Sequence, residues 1–160
     1  MIARPDPVSG RLGGCMLLLR TEIDINASGE RVWRVLTDFG AYREWNPFIT
    51  SISGELRRGA RLRVRVQPSG GRGITFRPTV LVADQNRELR WVGRLLFPGI
   101  FEGEHAFQIT PLENGRVRLL QQETFRGLLV PLLRWVLDGQ TRAGFEAMNR
   151  ALKDRAERPP

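Results

Sequence analysis

The most constraining feature of this chain is a run of alternating apolar and polar residues between positions 48 and 126, interrupted at short intervals by turn-forming residues. The interruptions include Arg58-Gly59, Pro98-Gly99 and Asn114-Gly115. Alternation with period two is typical of strands that have one buried and one solvated face. Parallel strands need crossovers of about a dozen residues or more, so these short connections predict an antiparallel meander.

Six strands are predicted in this run, over residues 48–55, 60–68, 74–84, 87–97, 101–111 and 115–126. A seventh strand with the same alternation precedes them at residues 17–26. Ser28 is then a candidate N-cap for a short helix, which Gly40 ends. A second short helical turn is predicted around Tyr42 to Trp45, because the residue before Pro47 avoids helical geometry.

The last predicted element is a long helix from Leu128 to about Arg155, with Pro131 tolerated in its first turn. Its apolar stripe consists of Leu129, Leu133, Val136, Leu137, Phe145, Met148 and Leu152. Gly139 and Gly144 interrupt the stripe and can bend the helix. Both apolar surfaces are buried if the helix lies on the sheet. The expected fold is therefore α+β, with a curved seven-stranded antiparallel sheet, two short helices after strand 1, and the C-terminal helix over the concave face.

Composition narrows the class of protein. A chain of 160 residues with 41% hydrophobic and 26% charged residues fits one globular domain, not a disordered chain or a membrane bundle. Residues 1–14 lack periodicity and are predicted to be a disordered leader before a single domain over residues 15–157, with Met16 as a possible true start. No apolar run fits a spanning helix or a signal peptide, so a cytoplasmic protein is expected.

The formal net charge is +8, and nearly all the basic side chains are arginines. Arg61, Arg63 and Arg65 occupy every second position of a strand, which is typical of a solvated sheet face. Because the sequence contains no basic block and no loop that mixes basic and aromatic residues, no nucleic-acid partner is expected. One cysteine and one histidine do not make a closed metal site, and nothing in the sequence requires a metal or nucleotide cofactor.

Period two also places three polar residues, His105, Gln121 and Glu123, on the apolar side of the predicted sheet. If residues 113–115 form a three-residue hairpin loop, His105 lies directly opposite Glu123, and Phe107 lies opposite Gln121. Opposed β-carbons are about 4.5 to 5.5 Å apart, close enough for an imidazole–carboxylate hydrogen bond. Three interpretations stay open: a self-satisfied buried pair, the polar end of a ligand pocket, or a general acid/base dyad.

Five motifs in this order carry a family resemblance. They are Ile23-Asp24-Ile25-Asn26-Ala27-Ser28 continuing to Val32-Trp33, Trp45-Asn46-Pro47-Phe48, Gly103-Glu104-His105-Ala106-Phe107, Glu123-Thr124-Phe125-Arg126-Gly127, and Gly144-Phe145-Glu146-Ala147-Met148-Asn149. Together they resemble the START/Bet v 1-like superfamily, also called SRPBCC or helix-grip proteins. Within it, the chain is similar to the polyketide cyclase/dehydrase-like proteins and to a group that resembles an accessory component of carbon monoxide dehydrogenase. The resemblance covers residues 17–157 and implies the helix-grip fold.

The resemblance also implies that a cavity can remain between the inner face of the sheet and the C-terminal helix. The candidate ligand-binding residues are Trp33, Trp45, Phe48, Leu62, Val64, Trp91, Gly93, His105, Phe107, Gln121, Glu123, Phe125, Phe145, Met148 and Asn149. For Trp33 and Trp45 the alternative is a role as packing anchors. Gly93 leaves volume beside Trp91 that a closed core would fill, and Asn149 either closes the pocket or bonds a neighbouring element.

The function expected first is binding of a small hydrophobic or amphipathic molecule, such as a lipid, quinone, polyketide or aromatic compound. The alternative is a cofactor-independent cyclase or aromatase in which His105 and Glu123 are catalytic and move protons. A third possibility, implied by the resemblance to the dehydrogenase component, is an accessory or chaperone-like protein that touches a membrane through basic loops. The sequence favours membrane association least, and it does not identify the ligand or the oligomeric state.

Overall fold

The computed structural model describes residues 15–68, 71–95 and 97–158, so the predicted leader lies outside the described residues. In this part of the chain the strands are β1 (Met16–Ile25), β2 (Ile49–Ser53), β3 (Arg63–Val66), β4 (Ile74–Phe76), β5 (Thr79–Asp84), β6 (Glu88–Leu95), β7 (Phe101–Pro111) and β8 (Val117–Arg126). The α-helices are α1 (Gly29–Thr37), α2 (Tyr42–Trp45), α3 (Val130–Val136) and α4 (Arg142–Glu157). Short 3-10 turns at Phe39–Ala41 and Glu113–Gly115 and a π-helical turn at Leu137–Thr141 complete the described elements.

The described strands form two antiparallel sheets, a five-stranded one in the order β1-β8-β7-β6-β5 and a three-stranded one in the order β2-β3-β4. The predicted curved antiparallel sheet with a C-terminal helix is confirmed, but the count of seven strands is wrong. The predicted strand 74–84 is two strands, because Pro78 has no N–H for a ladder and the chain changes sheets there. Backbone hydrogen bonds from Leu62 to Pro78 and from Val80 to Ala60, both 2.9 Å, still join the two sheets.

The predicted long C-terminal helix is divided. A π-helical turn at Leu137–Thr141 separates α3 from α4, and Gly139 lies inside it. Such π insertions are rare and often occur at functional sites. Earlier in the chain, the predicted N-cap is confirmed, since the backbone N–H of Arg31 donates to Oγ of Ser28 at 3.2 Å.

No helix in residues 15–68, 71–95 and 97–158 is long and apolar enough to cross a membrane.

Helix α4 holds the core against the five-stranded sheet. Phe145, Met148 and Leu152 on one side of α4 are fully buried, and α4 packs on β1 and α1. The alternation predicted for β3 is confirmed, because Leu62 and Val64 are buried while Arg61, Arg63 and Arg65 are exposed. This arrangement directs the apolar face of each strand toward α4 or toward the space between the two sheets.

Many arginines of the outer sheet face pair with carboxylates on neighbouring strands. Arg90 lies between Glu88 and Glu104, with its Nη1 2.9 Å from an oxygen of Glu104. Burial tends to lower the pKa of Arg90, but its hydrogen bonds and charge attraction to the two glutamates outweigh burial and raise it. Arg118 makes a two-pronged contact with Asp24 at 2.7 and 3.0 Å. These pairs solvate the strands and partly neutralise the arginine surface.

Candidate functional site

A cavity of about 210 Å³ lies between the two sheets and the π-helical turn. It is lined by Phe48, Ile49, Val66, Pro68, Ile74, Phe76, Trp91, Gly93, Arg94, Leu95, Phe101, Gly103, His105, Glu123, Phe125, Leu137, Gln140 and Thr141. Most of these side chains are apolar, and the carboxylate of Glu123 is the acidic group among them. Ligand pockets commonly combine an apolar lining with a few polar groups that fix orientation.

Part of this space comes from a pair of glycines. Gly93 on β6 and Gly103 on β7 are direct partners across the two strands. Neither residue has a side chain to fill the inner face at this level of the sheet, so the wall retreats where they meet. Phe101 and Phe125 lie nearby, with ring centroids 5.5 Å apart. Both rings line the cavity beside the glycine pair.

The register predicted from the hairpin loop is confirmed. His105 pairs with Glu123, and Phe107 pairs with Gln121. Asn114 and Gly115 both have positive φ, as a tight three-residue loop requires. Nδ1 of His105 lies 3.3 Å from Oε2 of Glu123, so the imidazole and the carboxylate are within hydrogen-bonding distance.

Gln121 decides which imidazole nitrogen carries the proton. Its Nε2 lies 3.2 Å from Nε2 of His105, and an amide nitrogen can only donate. Nε2 of His105 therefore accepts, and the N–H at Nδ1 donates to Glu123. The same amide nitrogen is 3.6 Å from Sδ of Met148, which fixes Gln121 beneath α4. Both nitrogens of the ring are then occupied, and Oε1 of Glu123 is the oxygen left to face a ligand.

Aromatic rings hold the imidazole from several sides. The indole of Trp91 stacks on it at 5.2 Å between centroids with an interplanar angle of 16°. The rings of Phe107 and Phe145 lie 4.6 and 5.0 Å away. His105 is only 4% exposed as a result. Its position is set by packing as well as by hydrogen bonds, so it can orient the Glu123 carboxylate with little freedom of its own.

Six of the predicted ligand-binding residues line the cavity: Phe48, Trp91, Gly93, His105, Glu123 and Phe125. The others lie outside its lining: Trp33, Trp45, Leu62, Val64, Phe107, Gln121, Phe145, Met148 and Asn149. Asn149 is buried and donates from Nδ2 to Oγ1 of Thr21 at 3.0 Å, which ties α4 to β1. Trp45 packs against the ring of Tyr42 at 4.9 Å.

Several lining residues were missed by the sequence analysis. Gly103 and Phe101 lie on the same face of β7 as His105, so extending the period-two argument to the start of that strand would have found them. Leu137, Gln140 and Thr141 had no such signal, because a regular helix was expected where the π-helical turn lies.

Within residues 15–68, 71–95 and 97–158, no group of three histidine, cysteine, aspartate or glutamate residues is arranged to hold a metal ion.

Residues 16–157 match the model of the family described as polyketide cyclase/dehydrase and lipid transport. The chain belongs to this family. Membership in the polyketide cyclase/dehydrase and lipid transport family supports a ligand-binding or cyclase role and suggests a small hydrophobic ligand. No curated protein matches the sequence significantly.

Solved structures agree with the fold of this family. The Zhui aromatase/cyclase from Streptomyces sp. R1128 is 18% identical, with a TM-score of 0.74 over 90% of this chain and 95% of that one. A START superfamily protein from Mycobacterium smegmatis is 23% identical, with a TM-score of 0.67 over 91% and 98%. Norcoclaurine synthase from Thalictrum flavum, a point mutant with a transition-state analogue, is 11% identical, with a TM-score of 0.70 over 91% and 97%. At these identities the likeness concerns the fold.

Proposed function

We propose that this chain binds a compact apolar or amphipathic molecule that presents a hydrogen-bond donor to Oε1 of Glu123. The observation that carries the proposal is the placing of one oriented carboxylate in an otherwise largely apolar cavity. A hydroxyl or enol group of the ligand would donate to Oε1, while the rest of the molecule leaves water for the apolar lining.

The size and walls of the cavity favour a flat ligand. Its volume of about 210 Å³ is below the roughly 300 to 1,000 Å³ of pockets that enclose drug-sized ligands. A lipid with two acyl chains does not fit such a space, whereas a compound of one or two rings does. Phe76, Trp91 and Phe125 offer ring faces and edges against which an aromatic ligand can pack.

Native mass spectrometry of protein purified from its own host tests this proposal. We expect a small molecule to co-purify with the wild-type chain and to be lost on unfolding. Glu123→Gln keeps the shape of the side chain but removes its charge, so it should lower affinity for that molecule about tenfold, as the loss of a charge-assisted hydrogen bond does. Glu113→Gln, in the exposed loop between β7 and β8, is the matched control. Equal affinity in wild-type protein and Glu123→Gln would contradict the proposal.

A second candidate is a cofactor-independent enzyme of the cyclase type, and the donation from His105 to Glu123 favours it. An oriented carboxylate in a mostly apolar cavity is suited to act as a general base that removes a proton next to a carbonyl group. His105 would then position Glu123. The likeness to an aromatase/cyclase supports this candidate at the level of fold.

Turnover separates the two candidates. If the chain is an enzyme, Glu123→Gln abolishes product formation while ligand still binds, because an amide cannot accept the proton. If the chain is a carrier, the purified ligand is recovered unchanged after incubation with wild-type protein. His105→Ala should weaken binding modestly under the first proposal and abolish turnover under the second.

A further inference from the structure

Helix α3 presents apolar side chains to solvent. Leu128 just before it and Leu132 and Trp135 within it are 73%, 80% and 89% exposed. Their spacing of four and three residues places all three on one side of the helix. Leu129 and Leu133 on the other side are half-buried against the protein. This segment is therefore apolar on two sides, which is typical of a helix that is covered by something else when it works.

The turn between β6 and β7 extends the same surface. The backbone N–H groups of Leu128 and Leu129 donate to the carbonyl oxygens of Gly99 and Ile100, both at 3.1 Å. These bonds bring the turn against the start of the helical segment, and Phe97 in that turn is 75% exposed. We call the four exposed side chains, Phe97, Leu128, Leu132 and Trp135, the α3 patch.

Charge around the α3 patch has one sign. Residues 126–137 contain two arginines, Arg126 and Arg134, and no aspartate or glutamate. Arg134 is exposed and forms no ion pair with any residue that the structure describes. Arg118, in contrast, is paired with Asp24 on the outer sheet face. An unneutralised cation beside exposed leucines and a tryptophan suits a surface that is both apolar and anionic.

We propose that the α3 patch docks on an anionic lipid bilayer, with Leu132 and Trp135 entering the interfacial layer and Arg134 meeting headgroup phosphates. Tryptophan favours this layer because its ring is apolar and its N–H is polar. Seven residues of α3 lie on the surface and do not span it. A second copy of the chain fits less well, since it would bring together two unpaired Arg134 side chains on molecules of net charge +8.

Docking in this orientation would place the cavity beside the lipid. Leu137, Gln140 and Thr141 follow α3 directly in the chain and line the cavity. A ligand dissolved in the bilayer could then enter past the π-helical turn without crossing water. The inference goes beyond the proposed binding function and does not require it, because a patch that docks can be measured with an empty cavity.

Vesicles with brominated lipid tails test the proposal. Of the four tryptophans, Trp33 and Trp91 are buried and Trp45 is half-buried, so contact quenching by bromine reports mainly on Trp135. We expect full-length protein to float with vesicles that mix phosphatidylcholine and phosphatidylserine, to show quenching there, and to dissociate as salt is raised. Leu132→Ser should weaken partitioning at least tenfold, since a buried leucine contributes roughly that factor.

Leu18→Ser is the matched control, because Leu18 is half exposed on β1, outside the α3 patch, and its loss should leave vesicle binding unchanged. Near-wild-type melting temperatures for both variants would show that they fold. Equal binding to vesicles of phosphatidylcholine alone, absence of quenching, or equal losses in Leu18→Ser and Leu132→Ser would each overturn the proposal. So would a concentration-dependent dimer that Leu132→Ser abolishes while wild-type protein ignores vesicles.

Discussion

A β-carbon added to Gly103 would lie 2.7 Å from Oε1 of Glu123. The carboxylate of Glu123 therefore occupies space that exists because residue 103 has no side chain. The oxygen is the end of a flexible side chain, so it can move aside at small cost when that space is filled. This relationship allows the position of the proposed ligand acceptor to be changed without dismantling the fold.

Gly103→Ala should separate binding from stability. The new methyl group displaces the Glu123 carboxylate from its place beside His105, and we expect ligand affinity to fall about tenfold, the effect of one lost charge-assisted hydrogen bond. The melting temperature should change little. Calorimetric titration with the co-purified ligand measures the affinity. Gly93→Ala, whose β-carbon would meet the ring of Phe76 at 3.2 Å, narrows the opposite wall without touching Glu123. Unchanged affinity in Gly103→Ala would contradict the assignment of Glu123.

Gly144→Ala should destabilise the fold. An added β-carbon there would overlap the ring of Phe48, which lines the cavity and packs edge-on against Phe145 at 5.7 Å. Overpacking of this kind costs about 1 to 3 kcal/mol, measured as a loss in the free energy of unfolding in urea. Gly139→Ala in the π-helical turn is the control, since nothing lies within 4 Å of its added β-carbon. Equal stabilities of the two variants would show that α4 does not need this close approach.

Asn149→Ala should act on stability alone. The variant removes the buried hydrogen bond to Thr21 that ties α4 to β1, at a cost of about 1 to 3 kcal/mol. Because Asn149 lies outside the cavity lining, ligand affinity measured well below the melting temperature should stay within about twofold of wild type, which is less than 0.5 kcal/mol. A large affinity loss in folded Asn149→Ala would return this residue to the site.

The contact between Glu157 and β1 predicts a pH dependence of stability. The carboxylate of Glu157 accepts the backbone N–H of Asn26 at 2.6 Å and contacts Nζ of Lys153 at 2.9 Å. The hydrogen bond from Asn26, followed by that from Lys153, lowers the pKa of Glu157. A depressed pKa stabilises the fold above the ordinary pKa of glutamate, and this contribution is lost as the pH falls through the lowered value.

Glu157→Gln should therefore lower the melting temperature slightly at pH 7, and the difference from wild type should shrink as the solution becomes more acidic than the ordinary pKa of glutamate. Thermal unfolding followed by circular dichroism across this range provides the measurement. Glu146→Gln, an exposed position on α4, is the control. A difference that grows toward acid pH would have the wrong sign for this account.

The hairpin between β7 and β8 shows what the sequence can predict well. A loop of three residues with a glycine leaves one register open, and that register brings His105 opposite Glu123. The break at Pro78 was missed although proline is a strand-breaking signal, because the alternation continues on both sides of it.

The location of the cavity depends on packing that no local pattern contains. Gly93 and Gly103 are ten residues apart in the chain, and their pairing follows from the β6–β7 register. Phe145 and Met148 were expected to face the ligand, but they fill the core because α4 approaches β1 closely. The π-helical turn that supplies Leu137 follows from tertiary packing that a helical period does not reveal.

Binding of a small planar phenol tests the central claim most directly. Titration of wild-type protein with 2-naphthol, followed by nitrogen–proton NMR with Trp91 and His105 as reporters, should give saturable shift changes confined to residues around the cavity. Gly103→Leu, which fills the cavity, should abolish them while the spectrum stays that of a folded protein. If no saturable change appears up to the solubility limit, or if both proteins show the same changes, the chain does not hold a ligand between its two sheets.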